Sequence, residues 1–189
     1  MDEEYIKDII VNDSWQSYQK LVDKYQGRVF TLCFRILRNR EEAEEVAQDV
    51  FVKGFHQLKK LKNPSKFAGW LLRIAYTVAI DRTRKKRIHT SELGGVPEHY
   101  VEEKHTPLVK AMRASRSELL KKAIDTLDPK EAAVITLYYL EDLPVKEIAE
   151  VTKMSIANVK VTLFRARKEL KNSITKLAGS DLPDLLDSI

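Results

Sequence analysis

The sequence predicts an all-α protein, two helical domains joined by a flexible linker, with a helix-turn-helix in the C-terminal domain. Three observations predict it. Glycine and proline are sparse, six of each in 189 residues. Apolar residues recur at three- and four-residue steps over long stretches, the period of a helix with one buried face. β-branched residues nowhere alternate with polar ones for long, as a half-buried strand requires. The content of 43% apolar and 32% charged residues supports a packed core and excludes a disordered chain.

The first helix is read over residues 14–39, with Leu21, Val22, Tyr25, Val29, Leu32 and Ile36 on one stripe. Asn39 can cap the next helix, whose first turns hold Glu41, Glu42, Glu44 and Glu45 near the positive end of the helix dipole. Its buried face is Ala43, Val46, Ala47, Val50, Phe51, Phe55 and Leu58. Residues 59–66, centred on Asn63-Pro64-Ser65, read as a loop. A third helix runs from Phe67 to Arg87 and closes a domain over residues 1–87. Periodicity then stops. Gly94, Gly95, Pro97 and Pro107 mark a linker over 88–107.

The C-terminal domain is placed at 108–178. Leu119, Leu120, Ala123, Ile124 and Leu127 form a stripe that ends at Asp128-Pro129. Asp128 can cap a helix with Pro129 at its first position and Glu131 at its third, carrying Ala132, Ala133, Ile135 and Leu140. Two short helices follow near 144–152 and 155–171, and residues 179–189 form an acidic tail.

Charge is distributed unevenly. Residues 59–87 carry ten Lys and Arg against one Asp, and residues 153–171 carry six against one Glu. Two separated positive surfaces fit a protein that grips a polyanion at two places. The acidic N-terminus lacks the layout of a signal peptide. No apolar run approaches the ~18 residues of a membrane span, so no membrane insertion and a cytoplasmic location are expected. The lone Cys33 sits in an apolar helical stretch and reads as a buried, inert thiol. His56 is isolated, and His89, His99 and His105 have no Cys or Asp partner at metal-ligand spacing. No metal, no cofactor and no catalytic residue is expected.

Three constellations bear on function. The last helix pair reads as a helix-turn-helix. Pro144 opens the first helix and Ser155 caps the second, with Asn158 in its first turn. With Ile156, Val159, Leu163, Ala166 and Leu170 turned inward, Ala157, Lys160, Val161, Phe164, Arg165 and Lys168 face outward. Basic groups, small contacts and an aromatic on one helix suit a DNA major groove. In the second, Phe67, Trp70 and Tyr76 are interleaved with Lys62, Lys66, Arg73, Arg82 and Arg84, a pattern that suits stacked bases of single-stranded nucleic acid. Third, the helix around residues 43–53 presents positions 41, 44, 45, 48, 49 and 52–53 outward, a candidate partner surface.

In this order and spacing the three blocks resemble extracytoplasmic-function sigma factors of the sigma-70 family. The matching stretches are AEEVAQDVFVKGF, FAGWLLRIAYTVAIDRTRKKR and AIDTLDPKEAAVITLYYLEDLPVKEIAEVTKMSIANVKVTLFRARKEL. The resemblance implies a promoter-recognition subunit with three partners: core RNA polymerase at its clamp and flap, promoter DNA, and an anti-sigma factor. It implies polymerase docking through Glu45, Gln48, Asp49 and Lys53. It implies melting and reading of the minus-ten element by Lys62, Lys66, Trp70, Arg73, Tyr76, Thr77, Arg82 and Arg84. The minus-thirty-five duplex falls to Ser155, Asn158, Lys160, Val161, Phe164, Arg165 and Lys168. The linker would thread toward the RNA exit path.

The chain departs from the family pattern at three places. Thr77 stands where Asn is frequent, and Lys153 stands where Gly is frequent in the helix-turn-helix turn, which calls for a left-handed backbone or a different turn. Val161 and Thr162 replace a more polar pair. The alternatives are a stand-alone helix-turn-helix regulator, which leaves the N-terminal basic-aromatic block without a role, and a sigma mimic, for whose receiver domain the chain has no room.

Overall fold

The computed structural model describes residues 1–93 and 119–178, with no strand among them. Eight helices follow in order: α1 (Asp2–Asn12), α2 (Trp15–Leu37), α3 (Arg40–Gln57), α4 (Phe67–Leu93), α5 (residues 119–124), α6 (Pro129–Tyr139), α7 (Val145–Thr152) and α8 (Ile156–Ala178). Most of the expected linker and the acidic tail lie outside the described residues.

Capping chemistry sets the helix ends. Ser14 Oγ accepts from the Ser17 N–H at the start of α2, and Asn39 Oδ1 accepts from the Glu42 N–H, 2.8 Å away, at the start of α3. Between them Arg38 adopts a left-handed conformation at φ 55°, so α2 and α3 turn back on each other through two residues. Asp128 and Glu131 form a reciprocal capping box, with Pro129 in the first turn of α6. Ser155 Oγ accepts from the Asn158 N–H at 3.1 Å. Each satisfies a backbone donor that a helix start otherwise leaves bare.

The N-terminal helices bury one face each. Leu21, Tyr25, Val29, Leu32, Cys33 and Ile36 of α2 meet Ala43, Val46 and Val50 of α3 and Leu71, Leu72, Ala75 and Ala79 of α4. Burial pushes the Cys33 thiol up to about 12, so it stays protonated. Tyr18 of α2 donates to the Phe51 carbonyl of α3. A Cβ at Gly54 would stand 3.1 Å from that tyrosine oxygen and 3.3 Å from Leu71 Cδ1, so glycine lets three helices meet there.

The C-terminal part is organised around α6, which is buried at every position from Ala132 to Leu137. It lies between α2 on one side and α7 and α8 on the other. The buried Thr136 hydroxyl is satisfied by the Ala132 carbonyl at 2.8 Å. α7 packs on α4. Arg167 of α8 stacks over Tyr138 and Tyr139 and donates to the Tyr139 hydroxyl at 2.8 Å.

The structure corrects several expectations. α1 was not foreseen; its buried stripe is only Ile6 and Ile9, and it is tied down by Asp2, which accepts from Lys24 and from the Tyr25 hydroxyl. α4 continues past Arg87 to Leu93, so the first residues assigned to the linker are helical. Two 3-10 turns, Leu58–Lys60 and Pro64–Lys66, shape the segment read as a loop. α8 runs beyond residue 171 to Ala178. Leu120, Leu140 and Ile156, expected inward, are exposed, the latter two because each stands at a helix boundary where the stripe has no facing helix.

Two stability effects follow. Gly54→Val, forced against Tyr18 and Leu71, destabilises by ~1–3 kcal/mol, read as a lower urea midpoint at unchanged slope. Lys153 holds φ 58° in the turn between α7 and α8. Lys153→Gly therefore stabilises by up to about 1 kcal/mol, where a loss of stability would contradict a strained turn.

Candidate nucleic-acid interface

Helices α3 and α4 run side by side and leave a groove lined by Asp49 and Lys53 from one and Trp70, Arg73, Thr77 and Arg82 from the other. Six expected site residues are thus brought together, from two sets that sequence separated by role. Trp70 is half-buried, its ring tilted against the buried Phe67, which itself packs on Tyr25. Arg73 and Thr77 are exposed. The Thr77 hydroxyl donates back to the Arg73 carbonyl at 2.8 Å.

The basic run at 82–87 does not stand alone, as repulsion among its five charges required. Arg82 meets Glu45 at 2.5 Å and Lys86 meets Glu42 at 3.0 Å, both across the α3–α4 boundary, and Arg84 meets Asp81 at 3.2 Å. Exposed pairs of this kind contribute only ~0–1 kcal/mol each, so a polyanion can exchange with the glutamates cheaply.

On the outer face of α3, Glu45, Gln48, Asp49 and Lys53 are all exposed. Val52, on the same face, is 57% exposed, and Trp15 lies nearby against Phe55 with ring centroids 5.8 Å apart. Sequence reasoning placed position 52 outward but left Val52 out of the docking set, and it missed Trp15.

The remaining expected positions divide. Lys62 is exposed between the 3-10 turns. Lys66 pairs with Glu150 of α7 at 3.5 Å. Tyr76 is buried, its ring on the protein side of α4. Burial and the nearby Asp128 carboxylate hold its hydroxyl above the usual range. It does not line the groove. Lys153, which sequence reasoning treated only as a turn residue, does.

The last helix presents its expected face intact. Ser155, Asn158, Lys160, Val161, Phe164, Arg165 and Lys168 are exposed, Phe164 by 69%, while Val159, Leu163, Ala166 and Leu170 are buried against the core. Arg167, held by the two tyrosines, belongs to the support and not to the outward face. The αL turn at Lys153 settles the geometry that a non-glycine residue there left open. The groove combines Trp70 with Arg73, Arg82, Lys85 and Lys153 beside Asp49 and Asp81, and the exposed face of α8 combines cations with an aromatic, the side-chain chemistry that suits stacking on bases and packing in a duplex groove.

Comparison with known proteins matches two separate stretches of the chain. The family model for Sigma-70 region 2 matches residues 21–88, and that for Sigma-70, region 4 matches residues 117–170. The chain is 29% identical over 169 residues to the ECF RNA polymerase sigma factor SigW of Bacillus subtilis (strain 168), covering 85% of this chain and 90% of that protein. It is 29% identical over 171 residues to the RNA polymerase sigma factor YlaC of the same organism, covering 85% and 93%. Its fold is that of the sigma factor RpoE in complex with the anti-sigma factor NepR from Bartonella quintana, at a TM-score of 0.70 and 17% identity over 88% of this chain and 99% of that one. CnrH in complex with the cytosolic domain of CnrY shares the fold at a TM-score of 0.62 and 20% identity, over 96% and 99%. With both conserved regions of the family present in order on one all-helical chain, the protein belongs to the sigma-70 family as a sigma factor of the extracytoplasmic-function type.

Proposed function

We propose that this chain directs core RNA polymerase to specific promoters and initiates transcription there. The observation that carries this reading is the presence, on one polypeptide, of the α3–α4 groove and the exposed outer face of α8. Residues 1–87, with the helical extension to Leu93, form the unit that docks and opens DNA; residues 108–178 form the unit that reads duplex. The outer face of α3 docks on the polymerase through Glu45, Gln48, Asp49 and Lys53, with Val52 adding apolar contact. Trp70, Arg73, Thr77, Arg82 and Arg84 receive the minus-ten strand, with Lys62 and Lys66 on its approach. Lys160, Val161, Phe164, Arg165 and Lys168 read the minus-thirty-five duplex, where the α8 N-terminus at Ser155 and Asn158 meets phosphate.

The reading requires no catalytic residue and no cofactor of this chain. No described helix is long and apolar enough to cross a membrane. The proposed site of action is the cytoplasm, with the polymerase. The sigma factor RpoE, which shares the fold, was solved in complex with the anti-sigma factor NepR. By the same reading an anti-sigma factor holds this chain silent. A stand-alone helix-turn-helix regulator is disfavoured because it gives the docking face and the groove no task.

Run-off transcription with core polymerase on genomic DNA tests the reading. New transcripts that depend on the chain are expected; none would overturn it. Asp49→Lys weakens binding to core polymerase by roughly tenfold, about 1.4 kcal/mol, without loss of helical content. Lys160→Ala and Arg165→Ala each weaken binding to the minus-thirty-five duplex by ~1–3 kcal/mol while polymerase affinity is kept. Unchanged affinity in either case removes that residue from its surface.

A further inference from the structure

The outward face of α8 carries a feature that salt bridges to phosphate leave without a task. Ala157, Val161 and Phe164 stand at four- and three-residue steps, so they form one row along the helix. All three are exposed, Val161 by 47% and Phe164 by 69%. The buried stripe of Val159, Leu163, Ala166 and Leu170 lies opposite, so the row points away from the protein. Cations flank it. At about 100° per residue, Lys160 and Arg165 lie on its two sides, each roughly 70° from the middle of the row. Lys168 continues the row at its far end.

One exposed apolar residue on a surface is ordinary. Three in line on the face assigned to a duplex make a surface of particular chemistry. From Ala157 to Phe164 the row is about 10 Å long at about 1.5 Å per residue, the length of roughly three base-pair steps. None of these side chains can donate or accept a hydrogen bond. The floor of the major groove offers one apolar group among its base edges, the C5 methyl of thymine. A cytosine amine or a guanine oxygen set against Val161 would lose water and gain no partner, which disfavours G·C there. Thr162, beside it, is half-buried and turned off the row.

We propose that Ala157, Val161 and Phe164 form a reader of pyrimidine C5 methyl groups, which selects adjacent thymines in the duplex held by α8. The proposal rests on the function assigned above and names what gives that surface its base preference. The flanking cations identify the occupant. A duplex presents phosphates along both rims of its major groove and methyl groups on the floor between them, the same order of charge and apolar surface that α8 presents. Val161 and Phe164 reach the methyls. Ala157, with the smallest side chain, keeps the start of the row low so that the helix sits close.

This reading separates two contributions on one helix. Lys160, Arg165 and Lys168 supply attraction that salt screens. The apolar row supplies discrimination that salt leaves almost untouched, because burying a methyl involves no counterion. Where the family has a more polar pair, Val161 and Thr162 thus exchange hydrogen-bond readout for methyl readout.

The test uses duplexes that the full chain enriches from a random library, once with core polymerase and once alone. In the enriched duplex each thymine is replaced in turn by deoxyuridine, which removes the methyl and keeps the base pair. Replacement at one or two adjacent positions lowers affinity by roughly fourfold each, the effect of one buried methyl-sized group. Val161→Ala and Phe164→Ala each make the chain indifferent to the loss at one of these positions, whereas Lys160→Ala weakens binding to both duplexes alike. Cytosine at a sensitive position weakens binding, and 5-methylcytosine there regains part of the loss. Unchanged affinity at every deoxyuridine overturns the proposal, as does an equal penalty in the wild type and both variants. If Val161→Ala and Phe164→Ala weaken binding to core polymerase and leave duplex affinity intact, the row is a protein contact and the proposal falls. Enrichment that occurs only without polymerase counts against the proposed function instead, and the same base replacements still decide the methyl reading. No enrichment under either condition overturns the methyl reading, while run-off transcription still judges the function.

Discussion

The constraint on which the arrangement depends is the burial of α6 on all sides. Six consecutive residues, Ala132 to Leu137, have no exposed face among them. A helix that is apolar all round must lie between two layers. α7 and α8 supply one layer and α2 the other. In this arrangement the N-terminal domain, through α2, packs against the core of the helix-turn-helix domain. The position of α7 on α4 follows from that packing.

The two basic blocks are handled differently. On α4 the cations at 82 and 86 are matched by Glu45 and Glu42, so part of the block is paired within its own helical hairpin until something displaces the glutamates. Among the described residues no such ladder lies along the outward face of α8, and Arg167 is drawn inward by aromatic faces. Surface pairs are weak and screened by salt, which makes the first block exchangeable and the second immediately available. Such a difference fits a protein whose duplex reader can meet DNA before its strand groove does.

Much of this was legible in the residues, for local reasons. Asn39, Asp128 and Ser155 were readable as caps because a side-chain oxygen at a helix start acts within three residues. The outward face of α8 was readable because its buried stripe is regular over four turns. The groove residues Trp70, Arg73 and Thr77 followed from interleaving within one helix. What was lost depends on distant chain segments. Tyr76 looks like its neighbours in sequence, and only the packing of the Leu72, Ala75 and Ala79 face of α4 decides that its ring is covered. α1 carries too short a stripe to announce itself, and Asp2 finds Lys24 and Tyr25 only after folding. Lys153 was readable as a turn residue, but its place at the groove exists only because α7 rests on α4.

The central claim is that the α3–α4 groove holds an opened DNA strand while α8 reads duplex upstream. Permanganate probing of a promoter bound by core polymerase and this chain tests it most directly, since unstacked thymines react and paired ones do not. The account predicts one short reactive stretch at the minus-ten element that requires the chain and is lost in Trp70→Ala with polymerase binding retained. Transcription from a promoter whose thymines react equally with Trp70→Ala, or whose reactive stretch forms without the chain, would contradict it.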